Sequence, residues 1–156
     1  MPATEVELAY LAGIVDGEGC ITGRLGITDK RRSPNLGVRF LISNTDQRLV
    51  QWVRDKWGGR IYAHKRHNAR WKTAFQWEVT LGQAAPILRS ILPYLLLKRR
   101  QAEIALELHS LSIPALVGRK KGVPPHNIRR RLELVSELRI RNSRGAYDAS
   151  SVKVAV

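Results

Sequence analysis

Apolar positions recur along this chain with two periods, one of about 3.6 residues and one of about 2, and the switches between them mark its elements. Residues 4–16 carry Leu8, Leu11, Ala12 and Val15 at helical spacing. Thr4 is placed to cap that helix, and Glu5 and Glu7 suit its positive end. Gly17 and Gly19 are expected to stop it. Residues 20–28 then alternate, with Ile21, Leu25 and Ile27 on one face and Thr22, Arg24 and Thr28 on the other. A turn over 29–35 leads into 36–43, where Leu36, Val38, Phe40 and Ile42 point inward and Arg39 outward. The two segments predict an antiparallel hairpin.

The pattern repeats loosely. Asp46 to Trp57 reads as a helix, with Leu49, Trp52, Val53 and Trp57 at helical spacing and Gly58-Gly59 at its end. In 60–66, Arg60, Tyr62, His64 and Arg66 share a face opposite Ile61 and Ala63. In 71–80, Thr73, Phe75, Trp77 and Val79 face inward, with Lys72, Gln76, Glu78 and Thr80 outward. A helix over 83–92 is interrupted by Pro93, a longer one is expected over 94–112, and the apolar run from Ile87 to Leu97 reads as buried. A proline-containing loop over 114–125 precedes an amphipathic helix over 126–141. The order is αββαββα plus C-terminal helices, an α+β fold with a four-stranded antiparallel sheet backed by helices. Residues 1–141 are expected to form a single domain, and 142–156 a flexible tail.

Charge gives this fold class a direction. The chain holds 27 Lys and Arg against 13 Asp and Glu, a net +14, which points to a polyanionic partner and above all to nucleic acid. The charge is unevenly spread: residues 1–20 hold four acids and no base, whereas 21–72 hold 13 bases and three acids. No apolar run reaches the ~18 residues of a membrane span. The start of the chain lacks a secretory pattern, and the single Cys20 excludes an intrachain disulfide framework. An intracellular, non-secreted protein without membrane contact is expected.

The acidic segment ends in Leu11-Ala12-Gly13-Ile14-Val15-Asp16-Gly17-Glu18-Gly19. Ala12 and Gly13 are small residues on an apolar helix, which lets a second helix come close. Asp16 and Glu18 lie at the negative end of the helix dipole, where each acid is disfavoured by up to ~1 kcal/mol. No base lies nearby in sequence. A divalent cation would offset this, since Mg²⁺ is commonly held by one or two carboxylates together with waters and phosphate oxygens. His64 and His67 are not spaced for zinc, and Cys20 reads as a packing residue.

These nine residues resemble the motif of the LAGLIDADG homing endonucleases, matching at Leu11, Ala12, Gly13, Asp16 and Gly19. The element order and Leu92-Pro93-Tyr94-Leu95, followed by Lys98 and Gln101-Ala102, agree with that family over roughly residues 8–110. The resemblance is greatest to its single-motif, homodimeric, intron-encoded members. It implies two motif helices packed across a dimer interface, with Ala12, Gly13 and Asp16 structural there. It implies that Glu18 and the Gly17 carbonyl hold Mg²⁺, with Ca²⁺ supporting binding without cleavage. Asn44 would order the attacking water, although it could equally start the next helix. Arg48 and Lys98 would stabilise charge on the phosphate, with Arg99 or Arg100 as substitutes for Lys98.

The implied activity is hydrolysis of both strands of a long, near-palindromic DNA site, leaving short 3′ overhangs. A strand ribbon fits the major groove and spans about nine base pairs, so a dimer reads roughly twenty. Thr22, Arg24, Thr28, Arg39, Arg60, Tyr62, His64, Arg66, Lys72 and Gln76 are the candidate DNA contacts. A catalytically silent relative, either an RNA splicing maturase acting on an intron or a DNA-binding regulator, is the alternative. An intact set of Glu18, Asn44, Arg48 and Lys98 favours cleavage.

Overall fold

The computed structural model of the protein describes residues 2–26, 35–65, 70–117 and 125–143. Thr28 and Arg66, both candidate DNA contacts, lie outside the described residues, as do Ile27 and residues 144–156.

Helix α1 runs from Glu5 to Glu18. Its start is fixed by a reciprocal cap: Thr4 Oγ1 accepts from Glu7 N at 3.3 Å, and Glu7 Oε2 accepts from Thr4 N at 2.9 Å. The helix passes through Gly17 rather than stopping before it, and Gly19 ends it in extended geometry. A Cβ at position 19 would lie 2.6 Å from the Val15 carbonyl oxygen, so the chain can turn there from helix into strand only without a side chain.

Strand β1 (Gly19–Gly26) pairs with β2 (Asn35–Asn44), and β2 with β4 (Ala74–Val79), which pairs in turn with β3 (Arg60–His64). All three pairings are antiparallel, and the sheet order is β1-β2-β4-β3. The expected alternation holds at Ile21, Leu36, Val38, Phe40, Ile42, Trp77 and Val79, which are buried on one face, but Leu25, expected on that face too, is 41% exposed near the end of β1. Phe40 and Trp77 meet edge to face at 5.3 Å, and Trp77 Nε1 donates to Gly58 O at 2.6 Å. Each such buried apolar side chain contributes about 1.5–3 kcal/mol. Strand β4 begins at Ala74, so Lys72 precedes the strand instead of pointing out from it.

Helices α2 (Gln47–Trp57), α3 (Leu81–Ile91), α4 (Arg99–Val117) and α5 (Pro125–Arg141) complete the fold, and one apolar core joins α1 and the sheet to them. Two expectations are corrected here. Residues 94–98 are not the first turn of α4; a 3₁₀ turn over Leu92–Tyr94 is followed by non-helical backbone, and α4 starts at Arg99. The run from Ile87 to Leu97 is also not wholly buried, because Leu96 and Leu97 are 86% and 76% exposed. Both follow from one contact. The Asp16 carboxylate takes the backbone N–H of Leu96 and of Lys98, and so holds this segment open. After α5, Asn142 Nδ2 donates to Ile21 O at 2.8 Å. Among the described residues, no helix is long and apolar enough to cross a membrane.

Candidate functional site

The end of α1 presents its two acids differently. Asp16 is half-buried and committed to the backbone, accepting from Leu96 N at 2.8 Å and from Lys98 N at 2.9 Å. Lys98 closes the loop by donating Nζ to the Asp16 carbonyl at 2.5 Å. Because Ala102 N bonds Lys98 O, Lys98 stands at the cap of α4, and the Asp16 carboxylate faces that helix's positive end. Glu18 is exposed, and no described hydrogen bond or ion pair engages it. The structure thus brings an open carboxylate, an ammonium and the last carbonyls of α1 to one place.

Asn44 and Arg48 lie together at the neighbouring end of β2. Asn44 Oδ1 accepts from Asp46 N at 2.8 Å, so this side chain does help start α2, as one of its two readings had it. Asp46 caps the helix through Arg48 N and grips the Arg48 guanidinium at 2.6 Å. That grip is the main reason the Asp46 carboxyl is held down to about 2, and it raises Arg48 in turn. Lys72 lowers Asp46 further, which puts this cation near the α2 cap. Tyr10, Asn44, Asp46, Arg48, Leu49 and Trp52 line one open groove, and neither Glu18 nor Lys98 borders it. No described hydrogen bond joins Glu18 to Asn44 or Arg48.

The small residues of α1 divide between its two sides. Ala12 is fully buried in the chain's own core and does not lie on the open side, contrary to the interface role assigned to it. Ala9, Gly13 and Gly17 are exposed, and a Cβ at 13 or 17 would meet nothing within 4 Å. Exposed Val6 and Tyr10 lie on the same side, and the open Leu96-Leu97 pair is tethered at the helix end. An apolar stripe with no cover therefore runs along the helix that carries Glu18.

The outer face of the sheet is polar and basic. Register puts Thr22 beside Arg39, Arg60 beside Glu78, and Tyr62 beside Gln76. Arg24, Arg39, Arg60, Tyr62, His64 and Gln76 all project from this face, as the alternation implies. Sequence reasoning missed that two of them are already engaged. Arg39 pairs with Glu78 through Nε (2.9 Å) and an Nη (2.8 Å), and Gln76 Nε2 donates to the same carboxylate at 3.2 Å. It also missed Arg139, which α5 brings to a hollow with Thr22, Arg24, Arg39 and Glu78. Nothing in the sequence spacing ties α5 to β1.

Comparison with solved structures gives this arrangement a context. The homing endonuclease I-CvuI superposes with a TM-score of 0.71 over 91% of this chain and 85% of its own, at 20% identity. The archaeal intron-encoded homing endonuclease I-Vdi141I gives 0.72 over 92% and 89%, at 16% identity. The LAGLIDADG homing endonuclease I-SmaMI gives 0.64 over 95% of this chain but 47% of its own, at 17% identity. The fold is that of the LAGLIDADG homing endonucleases. All three of these structures are complexes with DNA, and I-CvuI was captured on DNA in the presence of Mg and of Ca. No protein-family model matches the sequence, and no curated protein matches it significantly.

A divalent cation suits the donors at the end of α1. They are oxygens only, a free carboxylate and helix-terminal carbonyls, the ligands that Mg²⁺ and Ca²⁺ prefer. Among the described residues, no three His, Cys, Asp or Glu gather into a complete cation cage.

Proposed function

We propose that this chain is a site-specific homing endonuclease that acts as a homodimer and hydrolyses both strands of double-stranded DNA with a divalent cation, most naturally Mg²⁺. The observation that carries the reading is the free Glu18 carboxylate, at the tip of a helix whose LAGLIDADG-like side is uncovered and whose continuation is a basic strand face. The coverage of the similar structures supports one fold unit per chain. This chain covers 85% of I-CvuI but 47% of I-SmaMI, and in this reading a second copy takes the place of the other half of the longer chain.

In this reading Glu18, with the Gly17 carbonyl, holds the cation, which supplies Lewis-acid stabilisation and an acidified water when bound. Asp16 keeps Lys98 at the helix tip, so an ammonium lies ready for the charge that builds on the phosphate. Arg48 is pinned by Asp46 and can turn to a phosphate once DNA competes for it. Asn44 spends its oxygen on the backbone and keeps its Nδ2 to hold water. Two chains paired along the Val6, Tyr10 and Gly13 side bring two such tips to the two strands of one duplex. A near-palindromic site follows from that pairing, and short 3′ overhangs are what the family resemblance implies.

The test is incubation with Mg²⁺ and a randomised duplex library, sequencing the cut ends. Wild-type protein should give paired cuts with two-fold related flanks. Glu18→Gln should abolish cleavage and leave DNA binding measurable. Cleavage by Glu18→Gln at the wild-type rate refutes the assignment.

A further inference from the structure

Among the described strand residues there is one acid, Glu78, and it stands in the middle of the basic outer face. A carboxylate there opposes the long-range attraction to phosphate, so nonspecific affinity alone gives no reason for it. Its bonds suggest another use. Glu78 accepts both parallel N–H bonds of Arg39, at 2.9 and 2.8 Å, and one from Gln76 at 3.2 Å. Its side chain is 25% exposed, against 42% for Arg39, so the acid lies deeper and the guanidinium stands above it. The pairing raises Arg39 and lowers Glu78, which keeps both charged across neutral pH.

We propose that Glu78 is a positioning residue for base readout: it presents Arg39 and Gln76 as one preorganised unit to adjacent base pairs in the major groove. This rests on the endonuclease reading above. The geometry leaves each partner with the groups that readout needs. Arg39 spends the edge made by Nε and one Nη on Glu78, so its outer edge, with both Nη groups, still offers two parallel donors. That is the pattern that fits guanine O6 and N7. Gln76 spends one N–H and keeps an acceptor and a second N–H, the pair that fits adenine N6 and N7. Arg39 and Gln76 come from neighbouring strands, and among the described residues Glu78 bridges them. Without the bridge, two long side chains must be ordered when DNA binds, and that cost falls on discrimination. The carboxylate also repels phosphate, which disfavours any register that brings backbone rather than base edges to this point.

The experiment compares binding profiles of wild type, Glu78→Gln, Arg39→Ala and Gln76→Ala on a randomised duplex library in Ca²⁺, followed by affinities for single-base variants of the selected site. Glu78→Gln should lose about tenfold discrimination at the same base pairs that Arg39→Ala and Gln76→Ala affect, and leave the others unchanged. The double variant Arg39→Ala with Glu78→Gln should lose no more at the Arg39 position than Arg39→Ala alone. Nonspecific affinity at low salt should rise in Glu78→Gln, since the face gains one net positive charge. A wild-type site whose profile Glu78→Gln leaves intact overturns the inference while the endonuclease reading stands. So does a loss spread evenly over all positions. A wild-type protein that selects no sequence overturns both.

Discussion

Asp16→Ala tests whether the first motif acid holds the fold together or serves the cation. The substitution removes two charge-assisted hydrogen bonds, to Leu96 N at 2.8 Å and Lys98 N at 2.9 Å. Such bonds are each worth about 1.5–3 kcal/mol. Asp16 is only half-buried, so the lower end applies and the pair comes to about 3 kcal/mol. Its charge at the start of α4 adds about 0.3–1 kcal/mol. Asp16→Asn keeps one acceptor and should lose about half as much. For a chain of this size, about 3 kcal/mol lowers the melting temperature by roughly 6–12 °C. Urea melts with an unchanged slope measure the loss, and hydrogen exchange at Leu96 and Lys98 locates it. Glu18→Ala, at an exposed carboxylate without described partners at the negative end of α1, should not lower the melt and should raise it slightly. An Asp16→Ala protein within about 0.5 kcal/mol of wild type, or one whose Leu96 and Lys98 amides exchange no faster, refutes the reasoning.

Gly13→Leu should separate the paired chains yet leave the single chain slightly more stable, by about 0.5–1 kcal/mol, because a Cβ there meets nothing and glycine is a poor helix former. Sedimentation should show a 17.6 kDa particle where wild type shows twice that, and a variant that stays dimeric contradicts the proposed interface. Gly59→Ala should cost about 2–4 kcal/mol in a denaturant melt, since φ there is +93° and the new Cβ would stand 2.6 Å from Trp77 Nε1. The Asp46 carboxyl should titrate at about 2 by NMR. Its folded value is depressed, so its contribution to stability is complete above the ordinary value of 3.8 and is lost only as pH falls through about 2. The Arg48 clamp should therefore be intact at pH 5, and a titration near 3.8 would show that it is not formed.

What the sequence made legible is what depends on local period. The four strands, their inner faces and the capped motif helix all follow from alternation or helical spacing within a few residues. The start of α4 does not, because it is set by Asp16, some 80 residues away along the chain. Leu96 and Leu97 were misread for a related reason: a leucine beside a helix end looks the same whether it fills a core or waits for a partner. Ala12 and Gly13 look alike as small residues, yet one step of the helix turns the first into the core and the second away from it. The basic face was readable, but the Arg39, Glu78 and Gln76 network was not, since it depends on the register of β2 against β4.

The two sides of α1 join fold, assembly and chemistry in one element. Leu11, Ala12 and Val15 bury one side in the chain's own core, so the helix cannot roll to cover its other side without giving up that packing. The uncovered stripe of Val6, Tyr10, Gly13 and Gly17 runs to the helix end that carries Glu18, and Gly13 leaves room for a second helix to approach to backbone distance. Such an approach also brings two carboxylates together at two negative helix ends, which opposes the pairing. The opposing charge lies only at the tip, and the apolar contact extends along several turns. In the proposed dimer, pairing can therefore hold while each tip, with Asp16 and Glu18 against the Lys98 ammonium, stays net negative. In the proposed function a divalent cation and a phosphate backbone would meet that charge together, because each brings what the other lacks: the ion would supply the positive charge, and the phosphate would supply oxygens beyond those of Glu18 and Gly17.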